Sequence, residues 1–159
     1  MARTSKDLVG SLGRAMASYE SSVYDVGREV ARELGVNESD ARCLGLLLTE
    51  MKEARPGQLA TRLGISAPGA TWIIDRLERV GYATRLHDPA DRRKVVVRAT
   101  AQGARRAREV YDPLIAGGRQ ELISRYTVAE LELIIDFLNR ARDVQQMYVQ
   151  RLRQARSNR

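Results

Sequence analysis

The chain of 159 residues is short of the groups that build covalent staples, metal sites and catalytic centres. Its single cysteine, Cys43, excludes an internal disulfide and fits a reducing cytoplasm. Its single histidine, His87, lies far along the chain from Cys43, so no metal site is expected and no metal or other cofactor is called for. No Gly-rich phosphate loop and no nucleophile–His–acid set occurs, which argues against an enzyme. No uninterrupted run of about 18 apolar residues exists, so no membrane span is expected. The N-terminus also lacks the apolar core of a signal peptide. What the chain has in excess is positive charge: 27 Lys and Arg stand against 20 Asp and Glu, a formal net charge of +7. A surplus of that size favours an acidic partner.

The rest of the chain is organised around Ser66 to Gly103. Ser66 can cap a helix, Pro68 suits its first turn, and Gly81 suits the left-handed position just past its end. Ala70, Ile73, Ile74 and Leu77 fall at i, i+3, i+4 and i+7 and form one buried stripe. The opposite side carries Pro68, Trp72, Asp75, Arg76 and Arg79, an unusual set for a face that meets only water. Tyr82–His87 and Lys94–Ala99 then read as a hairpin, with turn chemistry at Asp88-Pro89-Ala90-Asp91 and a cationic tip at Arg92, Arg93 and Lys94. From Arg76 to Arg106 nine cations and three anions leave +6, nearly the whole net charge. A basic hairpin beside a basic helix face is an electrostatic footprint for nucleic acid.

Helical spacing fills both flanks. Leu8, Leu12, Ala15 or Met16, Tyr19, Val23, Val26, Val30 and Leu34 predict one long helix over Ser5–Leu34. Gly10, Gly13 and Gly27 each weaken it by about 1 kcal/mol relative to Ala, so packing must hold it. The stripe is read either as partly covered by a second chain or as wholly intrachain. Asn37 and Asp40 read as a capping box opening a helix over Glu38–Lys52. A short helix, Gly57–Leu63, then turns at Gly64 into the Ser66 helix, making a helix-turn-helix with a wing. Thr100 caps a further helix kinked at Pro113 and loosened at Gly117-Gly118. Thr127-Val128-Ala129-Glu130 is a capping box before a last long stripe from Leu131 to Leu152. The fold class is mainly α with a small two- or three-stranded β-wing. A winged helix-turn-helix lobe over 37–100 sits between 1–36 and 101–159, which form a helical dimerisation domain.

In a helix-turn-helix the second helix enters the major groove by its N-terminal residues. Here those are Pro68, Gly69, Thr71 and Trp72, then Asp75 and Arg76. Arg76 suits a bidentate contact to guanine, and Asp75 either accepts from cytosine or aims Arg76. Trp72 and Pro68 offer apolar contact to thymine methyls, and Trp72 is read equally as packing beneath the wing or into a neighbouring lobe. Arg92 and Arg93 suit the minor groove. Thr61, Arg62, Ser66, Arg79 and Arg85 would fix register on phosphates. Cys43 is read as buried and inert against the alternative of a redox switch.

The run Asp91-Arg92-Arg93, then Val97-Arg98-Ala99-Thr100-Ala101-Gln102-Gly103, resembles the wing signature of the MarR family, and Leu77 to Tyr82 with Arg85 resembles that family's helix exit. Ala99 stands where the family usually has Leu. The resemblance implies a cytoplasmic homodimeric transcription factor, most often a repressor, on a pseudo-palindromic double-stranded DNA operator. It implies that Asp91 pairs with Arg93 and leaves Lys94 freer to meet DNA. It also implies release by a small aromatic or phenolic ligand, with Met16, Tyr19, Tyr24, Cys43, Leu47 and Tyr111 as pocket candidates. The family's peroxide-sensing branch carries its cysteine in the first helix, where this chain has none. The alternative is a winged-helix module whose basic face meets an acidic protein without reading DNA.

Overall fold

The computed structural model describes residues 4–87 and 95–157. The elements in chain order are α1 (Ser5–Leu34), α2 (Glu38–Thr49), α3 (Pro56–Leu63), α4 (Ala67–Arg79), β1 (Ala83–His87), β2 (Val95–Ala99), α5 (Ala101–Glu121), a short 3-10 turn (Ile123–Arg125) and α6 (Val128–Ser157). The chain divides into two compact units, Met1–Asp112 and Pro113–Arg159, and the division falls at Pro113 within α5. No helix among the described residues is long and apolar enough to cross a membrane.

In the first unit the core lies where α2, α3, α4 and β2 meet, around Leu44, Leu59, Ile74, Leu77 and Val97. The stripe expected on α4 is buried as read: Ala70, Ile73, Ile74 and Leu77 all face inward. Ser66 caps α4 by accepting from the Gly69 N–H at 3.2 Å. Gly81, at φ +77°, turns the chain sharply enough for the Tyr82 N–H to reach the Leu77 carbonyl at 2.8 Å. The two strands pair antiparallel, from Ala83 opposite Ala99 to His87 opposite Val95. A single bridge from Ala54 to Val97 adds the remnant of a third strand.

Gly103 joins the hairpin to α5 by close approach: a Cβ built there would stand 2.3 Å from the Tyr82 carbonyl oxygen. Thr100 caps α5, accepting from the Gly103 N–H at 3.0 Å. The start of α2 differs from expectation, because Asn37 makes no side-chain cap and Asp40 is turned inward. The helix also stops at Thr49 rather than Lys52.

Helix α1 has two characters. Its last turns, with Val30, Ala31 and Leu34, are buried in the lobe. Leu8, Leu12, Tyr19, Val23 and Val26 are exposed. In the second unit the capping box at Thr127 and Glu130 forms in both directions, at 2.8 and 3.3 Å. There Ile135, Leu138, Tyr148 and Leu152 of α6 stay exposed.

Candidate nucleic-acid interface

The helix-turn-helix is made by α3, a left-handed corner at Gly64 (φ +72°), and α4. Burial of the α4 stripe turns the other side of that helix outward. Trp72 stands at its centre with 69% of its surface exposed, which removes the reading of Trp72 as packed beneath the wing of its own chain. Ser66, Pro68, Thr71, Asp75 and Arg79 are exposed around it, and Gly69 is half-covered. The Thr71 hydroxyl donates to the Ala67 carbonyl at 3.2 Å and the Thr61 hydroxyl to the Gly57 carbonyl at 3.0 Å. Each oxygen keeps its acceptor capacity toward solvent.

The cations are arranged differently from the sequence expectation. The Arg76 guanidinium is held by Asp40 of α2, Nε to Oδ2 at 2.8 Å and Nη2 to Oδ1 at 2.5 Å. The Asp40 side chain is only 2% exposed and that of Arg76 33%. This hydrogen bond to Asp40 is the largest influence on Arg76 and raises its pKa. The Arg76 guanidinium, expected at a guanine, is thus engaged by a buried carboxylate. Asp75 is not aimed at Arg76; it pairs with Arg85 at 2.7 Å. Arg85 also donates from its guanidinium and from its backbone N–H to Glu78, so it fastens β1 to α4. Burial pulls the Arg85 pKa down most, yet the hydrogen bonds and charges of Asp75 and Glu78 together leave it raised.

Other cations are similarly occupied. Arg62 donates from Nε to Glu50 at 2.8 Å, Arg98 pairs with Glu53, and Arg105 and Arg106 share Glu109. The sequence window of +6 thus loses much of its charge to acids that lie outside it, Asp40, Glu53, Asp75 and Glu109. Arg79 is exposed and makes no ion pair among the described residues. It borders a cleft of about 350 Å³ with Gly35, Asn37, Asp40 and Arg76. The expected tip residues Asp91, Arg92, Arg93 and Lys94 lie outside the described residues.

Of the six expected pocket residues, Cys43 and Leu47 belong to the core and Tyr111 packs against it. Tyr19 and Tyr24 are exposed and, five residues apart on one helix, point about 140° from each other. Met16 and Tyr111 are half-buried. Neither the cleft beside Arg79 nor a second one of about 200 Å³ beside Arg28 is lined by any of the six. Burial, and then the Asp40 charge, pushes the Cys43 thiol up to about 11. Among the described residues no cluster of His, Cys, Asp and Glu could hold a metal.

A helix-turn-helix followed by a β-hairpin, with its second helix bared on the outer side, defines the class of winged helix-turn-helix proteins. The MarR family profile matches residues 36–95, which is the winged lobe. A Bacillus subtilis protein described as an uncharacterised HTH-type transcriptional regulator, YcgE, is 34% identical over 140 residues, covering 79% of this chain and 90% of its own length. The chain belongs to the MarR family. The solved structure of a MarR family protein from Bacillus stearothermophilus shares the fold, with a TM-score of 0.70 and 20% identity over 91% of this chain and 99% of that one. A mutant of Escherichia coli MarR complexed with operator DNA superposes with a TM-score of 0.59 at 22% identity, covering 87% of this chain and 99% of that one.

Proposed function

We propose that the protein is a cytoplasmic homodimeric repressor that reads a pseudo-palindromic duplex with α4 and is released by a small aromatic or phenolic ligand. The observation that carries the reading is the bared face of α4, where Trp72 stands free on a rigid, capped helix. Pro68, Gly69, Thr71 and Trp72 meet base edges and thymine methyls, and Arg79 meets a phosphate. Ser66 and Thr61 add neutral phosphate contacts, and Arg62 adds a further one if Glu50 releases it. Arg76, Asp75 and Arg85 hold the reading helix rather than touch bases. The sequence between β1 and β2, with Arg92, Arg93 and Lys94, is assigned to the adjacent minor groove.

Dimerisation is supported by the exposed apolar residues of α1 and α6, each more than one helix can leave in water without a partner. A twofold dimer would place two α4 helices about 34 Å apart, one turn of duplex. Release by a ligand rests on family membership. A ligand acts only through different affinities for the DNA-bound and free geometries. Met16 and Tyr111, both half-buried, are the pocket residues most open to a ligand in this reading.

Anisotropy of a labelled duplex, measured across a salt series, tests the reading. Counterion release predicts a log–log slope of about −0.9 for each phosphate neutralised. Binding that ignores duplex sequence and salt, with retention of an acidic protein instead, would favour the interaction-module alternative.

A further inference from the structure

The last carbonyls of α1 are satisfied from two directions. Ala31 and Arg32 accept from the backbone N–H groups of Gly35 and Val36, as at an ordinary left-handed helix end. Glu33 and Leu34 are served by side chains from elsewhere in the lobe. Arg106 of α5 donates from Nη2 to the Glu33 carbonyl at 2.8 Å. The buried Tyr82 hydroxyl donates to the Leu34 carbonyl at 3.1 Å. The backbone of Tyr82 closes α4 through Leu77 and accepts from the Thr100 N–H at 2.9 Å at the start of α5. One residue therefore ties the end of the reading helix to the end of α1, and Arg106 adds α5 to the same joint.

We propose that Tyr82 and Arg106 are positioning residues that set the half-site spacing the protein accepts, by fixing the angle at which α1 leaves the reading lobe. This rests on the twofold DNA-reading proposal above. Apolar packing around Val30 and Leu34 is non-directional and lets a helix tilt, whereas two hydrogen bonds to consecutive carbonyls are directional. The leverage is large. From Leu34 back to Leu12 the helix runs about 33 Å at 1.5 Å per residue. A tilt of about 6° at the joint moves the far end by about 3.4 Å, the rise of one base-pair step, and that step also turns the half-site by about 35° around the duplex axis. A joint held by two directional hydrogen bonds resists both the shift and the turn that a spacing error of one base pair demands.

The test uses the full chain and the duplex selected by it, resynthesised with half-site centres one and two base pairs closer and farther apart. The parent is expected to lose about tenfold in affinity for each single-step displacement, comparable to one mismatched base pair. Tyr82→Phe and Arg106→Met are expected to reduce that loss to about threefold, while the loss for a base substitution within a half-site stays near tenfold. Arg106→Lys, which keeps a donor toward Glu33, is expected to restore the parent's profile. Folded variants whose spacing profile parallels the parent's overturn the inference, as does an equal loss at every spacing. A parent with no sequence preference overturns the DNA-reading proposal as well, and so is told apart from failure of the joint alone.

Discussion

Asp40 and Arg76, 36 residues apart, form a two-point ion pair between α2 and α4, with the carboxylate buried and the guanidinium one-third exposed. The pair locks the C-terminal half of the reading helix against the helix that precedes the helix-turn-helix. Arg76→Ala leaves Asp40 buried without its counter-charge and is expected to lower the unfolding free energy by about 3 kcal/mol. Asp40→Leu combined with Arg76→Met removes both charges and is expected to cost about 1 kcal/mol, less than Arg76→Ala alone. Urea denaturation of the three proteins decides it, and a double variant weaker than the single one contradicts the account.

Trp72 carries binding and little stability. Trp72→Ala is expected to change the unfolding free energy by no more than about 0.5 kcal/mol, as for an exposed site. The same change is expected to weaken operator binding about tenfold, the loss of one well-packed aromatic contact. Its fluorescence, the only indole signal in the chain, should shift when duplex saturates the protein. An unchanged spectrum at saturation removes Trp72 from the interface.

Gly103 is required by space and not by conformation. A Cβ there would stand 2.3 Å from the Tyr82 carbonyl oxygen, which is backbone and cannot swing aside. Gly103→Ala is expected to destabilise by about 2 kcal/mol, in the range of overpacked cores, despite alanine's better helix propensity. A thermal melt equal to the parent's would show that the hairpin and α5 separate freely at this point.

Cys43 is expected to resist thiol reagents in the folded protein. Burial raises its pKa to about 11, so at pH 8 only about one thiol in a thousand is ionised. The folded thiol holds its proton more tightly than the unfolded one, whose value is near 9.0. Its stabilising contribution is therefore complete below about pH 9 and lost as pH rises toward 11. Stability measured across that interval should fall less steeply in Cys43→Ala. Rapid labelling of the native protein at pH 8 would contradict a buried thiol.

Most of the fold was legible because its signals are local. The α1 and α4 boundaries follow from spacing, a capping serine and glycines placed for left-handed turns. Asp40 was misread for the same reason: three residues after Asn37, it mimics a capping-box acid, while its true partner lies 36 positions on. The charge window is incomplete for the same reason, since Glu53 and Glu109 lie outside it yet pair with Arg98, Arg105 and Arg106. An exposed basic face is a property of pairing in space, and a linear count does not contain it. Chemistry near a junction does not fix a pocket, and helical phase separates Tyr19 from Tyr24.

The most direct measurement of the central claim is selection of bound fragments from a pool of random duplexes, followed by sequencing. Two α4 helices related by a twofold axis predict an enriched inverted repeat with half-site centres about 10 base pairs apart. Recovery of no common sequence, or of a lone half-site with no inverted partner, would contradict it.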